Sequence, residues 1–100
     1  MQLFSKKLVT IITEALIEKE LVAVLEQLGI SGYTITDARG KGHRGMRNAG
    51  WEHGANIRVE IVCEDKLADL ISMQLKKDFY SDYAMILFMS DVKVLRPEKF

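Results

Sequence analysis

Residues 56–64, NIRVEIVCE, alternate without a break. Ile57, Val59, Ile61 and Cys63 fall on one side, and Arg58, Glu60, Val62 and Glu64 on the other. Successive side chains of a strand point to opposite faces, so this stretch is a strand with one buried face. Asp65 opens a helix behind it. Leu67, Leu70, Ile71, Leu75 and Phe79 recur there at helical spacing, and Lys76 and Lys77 lie near the end, where cations suit the helix dipole. Further on, YAMILFM at 83–89 is apolar throughout and reads as a central strand. Val92–Leu95 adds a short last strand before Pro97 stops it.

The first half of the chain repeats this strand–helix–strand order. KKLVTIIT at 6–13 is a β-branched run suited to a buried strand. Thr13 is placed to cap a following helix over 14–28, with Glu14 in its first turn. Ile17, Leu21, Val24, Leu25 and Leu28 form its stripe, and Gly29 is a natural stop. From Gly32 to about Arg39 a second strand sets Tyr33 and Ile35 against Thr34, Thr36 and Ala38. The order is β-α-β-loop-β-α-β, which predicts an α+β ferredoxin-like fold, an antiparallel sheet with both helices on one face. The other sheet face then carries Thr34, Thr36, Arg58, Glu60 and Val62. No helix covers that mixed surface, which suits another subunit or a ligand.

At 100 residues, residues 1–100 form a single domain. Apolar residues make up 48% and charged residues 28%, as in an ordinary globular protein. The formal net charge is +0, which removes any global attraction to nucleic acid or an anionic membrane. One cysteine makes no internal disulfide, and no apolar run approaches the ~18 residues of a membrane span. A cytoplasmic protein is the expectation.

Against that even balance, the connection between the middle strands is basic and glycine-rich. Arg39, Lys41, Arg44 and Arg47 lie within nine residues with no acid among them, and Gly40, Gly42, Gly45, Gly50 and Gly54 are five of the chain's seven glycines. Glycine turns backbone N–H groups toward a ligand, and arginine offers planar donors to phosphate or carboxylate oxygens. Anion binding is the first reading of this composition, and a solvated loop whose charges only keep it soluble is the alternative that the flanking context must decide against. Arg44 and Arg47 are three apart, close enough to converge on one small anion if the loop coils.

The wording GYTITDARGKGHR at 32–44, followed by RVEIVCED at 58–65, resembles the PII signalling proteins. GKGHRGMR at 40–47 and YSDYAMI at 80–86 are similar to the PII-like branch associated with bicarbonate transport and carboxysomes. The resemblance implies a homotrimer with adenine nucleotides in its intersubunit clefts and a T-loop, here residues 41–54, that engages a partner. It implies that Thr34 sits beside the adenine or ribose, and that Glu60, Ile61 and Val62 border the same site with ribose and backbone contacts. Gly40, Gly42, His43 and Arg44 would border the phosphates, with Lys41 and Arg47 offered from the loop and Arg96 reaching across to phosphates. Lys41, Arg44 and Arg47 are the residues suited to bicarbonate. The partner implied is a bicarbonate transporter or other membrane protein, which would recruit the chain peripherally to the membrane.

Three departures adjust that expectation. No tyrosine stands between His43 and Gly54, so uridylylation has no obvious acceptor. SDYAM at 81–85 replaces the Gly-rich, lysine-bearing loop of the nitrogen-regulating members, which moves the preferred ligand from ATP toward AMP, ADP or cyclic AMP. The chain ends RPEKF and lacks the Cys-rich extension of some relatives.

Other chemistries find weaker footing. His43, His53 and Cys63 match no local metal-ligand spacing, so no metal and no catalytic cofactor is expected. No nucleophile elbow or spaced carboxylate pair marks an enzyme. The alternative reading is a ferredoxin-like nucleic-acid-binding module with the loop as a basic arm, which the zero net charge opposes. Trp51 serves either packing or partner contact, while Phe79, Tyr80 and Tyr83 read as core and cleft wall, and Met85 and Met89 as core.

Overall fold

The computed structural model describes residues 1–41 and 55–100. Four strands and two helices occur in the predicted order: β1 Phe4–Glu14, α1 Glu18–Gln27, β2 Thr34–Ala38, β3 Asn56–Cys63, α2 Asp65–Asp78 and β4 Met85–Val94. Every pairing is antiparallel and the sheet order is β2-β3-β1-β4. This is the ferredoxin-like arrangement expected from the sequence.

One face of the sheet and the inner stripes of both helices make a single core. Val9, Ile11, Ile57, Val59, Ile61 and Cys63 from the strands join Ile17, Leu21, Leu25, Ala68, Ile71 and Leu75. Gly29 ends the α1 segment with a φ of 95°, in the left-handed region that favours glycine, as its position predicted. α2 begins at Asp65 as expected, and Lys76 and Lys77 lie in its last turn.

Local differences have clear causes. Thr13 caps no helix: β1 runs through Glu14, a 3-10 turn occupies Ala15–Ile17, and α1 starts only at Glu18. The Thr13 Oγ1 hydroxyl instead donates to the Ala84 carbonyl at 2.9 Å. Leu70 points outward at 49% exposure, and Ala68 takes the inner position, because the buried stripe runs through 68, 71 and 75. β4 lies at the sheet edge rather than its centre, and the predicted Val92–Leu95 strand is its continuation through Val94. Tyr83 precedes β4 and rests near Phe79, with ring centroids 6.1 Å apart.

Among the described residues no helix lies over the second sheet face. The register places Thr34–Glu60–Thr10–Phe88 in one row and Thr36–Arg58–Ile12–Ile86 in the next. Its β2–β3 half is therefore polar. Its β1–β4 half is apolar, built from Leu8, Ile12, Ile86, Phe88 and Val92, with Ile86 54% and Phe88 46% exposed.

Candidate functional site

β3 supplies the backbone of the site. Its alternation commits Ile57, Val59, Ile61 and Cys63 to the core, which leaves Arg58, Glu60 and Val62 on the open face. β2 brings Thr34 directly opposite Glu60. The β2–β3 ladder ends at that pair, so Ile61, Val62 and Cys63 continue with no strand beside them on that edge among the described residues. Residues of a strand direct their N–H and C=O alternately to its two edges, so this free edge offers backbone donors and acceptors to a ligand. A backbone contact around Val62 is the role expected of this stretch.

Thr34, Glu60 and Val62 thus come together. Ile61 does not present its side chain: it is 1% exposed within the core, and only its backbone is open to such a role. Gly40 and Lys41 follow β2 and are both exposed. Gly40 has open space around it and no positive φ, so nothing in its surroundings demands a glycine. Arg96 lies beyond the end of β4, where Val94 pairs with Phe4, whereas Met85 at the other end pairs with Thr13 near the loop foot. Ten strand residues span ~30 Å, so Arg96 and Lys41 belong to opposite ends of one subunit. Gly42, His43, Arg44, Arg47, Trp51 and His53 lie outside the described residues.

The electrostatics of the strip are simple. Arg58 Nε stands 3.7 Å from Glu60 Oε2, both side chains partly exposed. Lys6, buried, pairs with Glu64 at the far end of β3. Lys7 nearby donates to Asp91 at 2.5 Å, and this hydrogen bond and charge hold the Asp91 carboxyl below its ordinary value. Burial pushes the Cys63 thiol up, with the carboxylates of Glu64 and Asp65 adding to it, as suits an inert core cysteine. Among the described residues no three His, Cys, Asp or Glu side chains gather as a metal site.

A concavity of about 130 Å³ is lined by Ser5, Lys6, Lys7, Glu64, Asp65 and Asp91, and another of about 300 Å³ lies along α1. Neither contains Thr34, Glu60 or Val62. Ligand sites of nucleotide size are concave, so a site of that size on this strip would need a second wall. Reading β3 alone missed Leu8 and Thr10, which stand beside it on β1, and Phe88 of β4, opposite Thr10 one strand further on. The signal for Leu8 and Phe88 was the apolar character of β1 and β4 on both faces.

These features define a ferredoxin-like subunit with an uncovered sheet face, and the chain belongs to the nitrogen regulatory protein P-II family, which it matches over residues 6–99. It is a PII-like signalling protein. A protein from Thermus thermophilus described as a PII-like signaling protein is 45% identical, with a TM-score of 0.84 over 100% of this chain and 99% of that one. CPII, a nitrogen regulatory PII-like protein from Thiomonas intermedia, was solved bound to ADP, AMP and bicarbonate. It is 25% identical, with a TM-score of 0.81 over 99% of this chain and 100% of that one. CPII bound to ADP and bicarbonate is 27% identical, with a TM-score of 0.84 over 99% and 97%. The homotrimer expected from the sequence is consistent with this family and with a sheet face that lacks a cover.

Proposed function

We propose that three copies of this chain associate through the apolar β1–β4 half of the open face and bind adenine nucleotides in the clefts between them. One observation carries the reading: Thr34, Glu60 and the free edge at Val62 form a polar half-site next to an apolar surface that needs a partner. The second wall comes from a neighbouring subunit, and Arg96, remote within its own subunit, is the basic residue positioned to cross over. AMP and ADP are the preferred ligands, in keeping with what CPII holds. Gly40, Lys41, Gly42, His43, Arg44 and Arg47 serve the phosphates, and Lys41, Arg44 and Arg47 serve bicarbonate.

The output is regulatory, not catalytic. Ligand binding selects among states of the 41–54 loop, which engages a bicarbonate transporter or another membrane partner and so adjusts inorganic-carbon uptake. A nucleotide shifts that equilibrium only by its differential affinity for the two states, so AMP and ADP must hold the loop differently from an empty cleft. Among the described residues no helix is long and apolar enough to cross a membrane, so membrane contact runs through the partner.

The test is isothermal titration of the oligomer, sized by light scattering, with AMP, ADP, ATP and cyclic AMP, each with and without bicarbonate. Saturation at one nucleotide per subunit, with affinity that changes in bicarbonate, is the expected result. A folded trimer that binds none of the four would refute the sensor.

A further inference from the structure

On the open face β3 presents Val62, Glu60, Arg58 and Asn56 in that order, toward the loop foot at Ala55. Alternate residues of a strand are about 6.6 Å apart, so Val62 to Arg58 covers ~13 Å. That reach is comparable with an extended nucleoside monophosphate. The availability of a base sets its direction. At the Val62 end Lys6 and Glu64 are paired with each other and Lys6 is buried, so no base there is left to receive a phosphate. At the other end stands Arg58, flanked by Thr36 on β2 and Ile12 on β1. Among the described strand residues, Arg58 and Lys6 are the two bases on this face.

Arg58 is also lightly committed. Its side chain is 47% exposed, and its contact with Glu60 at 3.7 Å is an ion pair too long for a hydrogen bond. The guanidinium therefore keeps its planar set of donors for an anion. Building on the nucleotide reading above, we infer that Arg58 is an anion-contacting residue of the cleft, meeting the α-phosphate of a bound adenine nucleotide while Glu60 accepts from the ribose hydroxyls. Arg58 also offsets the repulsion that Glu60, one alternate position away, imposes on a phosphate.

The rival role is that Arg58 only steadies Glu60, and the choice of ligand separates the two. AMP and adenosine are titrated into the unmodified oligomer and into the Arg58→Gln and Arg58→Lys variants, with folding checked by circular dichroism. Loss of a charge-assisted contact predicts that Arg58→Gln weakens AMP about ten- to hundredfold and leaves adenosine within about twofold. Arg58→Lys should fall between, since it keeps the charge and loses the fork. Should Arg58→Gln fail to fold, Arg58→Lys carries the same comparison. Equal losses for AMP and adenosine, or unchanged AMP affinity, would overturn the phosphate contact while nucleotide binding stands. An unmodified trimer that binds neither ligand would overturn the nucleotide reading and this contact with it.

Discussion

Glu14 closes β1 and, with its two neighbours, ties down two distant segments. Its Oε2 accepts from the Ala84 N–H at 2.7 Å, Thr13 donates to the Ala84 carbonyl, and the Ala15 N–H donates to the Ala55 carbonyl at 2.9 Å. The turn before β4 and the foot of the 41–54 loop are thus fastened to one tripeptide. Glu14→Ala strips the acceptor from the Ala84 N–H and should cost about 2 kcal/mol, whereas Glu14→Gln keeps an acceptor and should cost less. Urea denaturation at a fixed protein concentration reads the difference, and equal midpoints for both variants would show that the bond is idle. At this scale the sequence was informative where side chains alternate and uninformative where they bond across distance. That Glu60 and Thr34 share the open face was legible because strand period alone puts them there. The bond from Thr13 to Ala84 spans 71 positions, and no local pattern encodes it. A threonine before a helical stripe looks like a cap, and only the partner strands reveal that the ladder continues past it.

Each helix buries a stripe whose phase decides what a substitution does. Leu75 is fully buried in α2, while Leu70, on the same helix, is 49% exposed. Leu75→Ala should therefore cost about 2–5 kcal/mol through lost burial and the cavity left behind. Leu70→Ala should stay within ~0.5 kcal/mol, as surface changes do. Thermal melts of the two variants side by side check the phase, and similar losses would place Leu70 against a hidden neighbour. Among the described residues, period was enough to find the four strands and two α-helices, since β3 alternates and α2 repeats at helical spacing. It was not enough to place β4 in the sheet. A run apolar on both faces fits a central strand, and it fits equally an edge strand whose second face meets another subunit. Sequence pattern registers that Ile86 and Phe88 are apolar, not what covers them.

At the scale of the molecule, the open face is divided into a polar β2–β3 half and an apolar β1–β4 half, and the proposed cleft and subunit contact rest on that division. Phe88→Glu puts a charge in the middle of the apolar half, where an unpaired carboxylate is costly to bury. The expected outcome is a shift from trimer to smaller species by light scattering and lost nucleotide binding, with the circular dichroism of the subunit unchanged. A trimer that survives the substitution would move the interface elsewhere. The sheet order has a further effect, on how the chain is made. β1 leaves the ribosome before any other strand, yet both of its neighbours, β3 and β4, are encoded far behind it, with Lys7 opposite Cys63 on one side and Asp91 on the other. At about 5–20 residues per second of translation, this β-branched strand waits several seconds for its partners. Such non-local pairing is slow to form and open to misassociation in the interval. β1 therefore stays unpaired until the second half of the chain has been made, and the sheet closes only then.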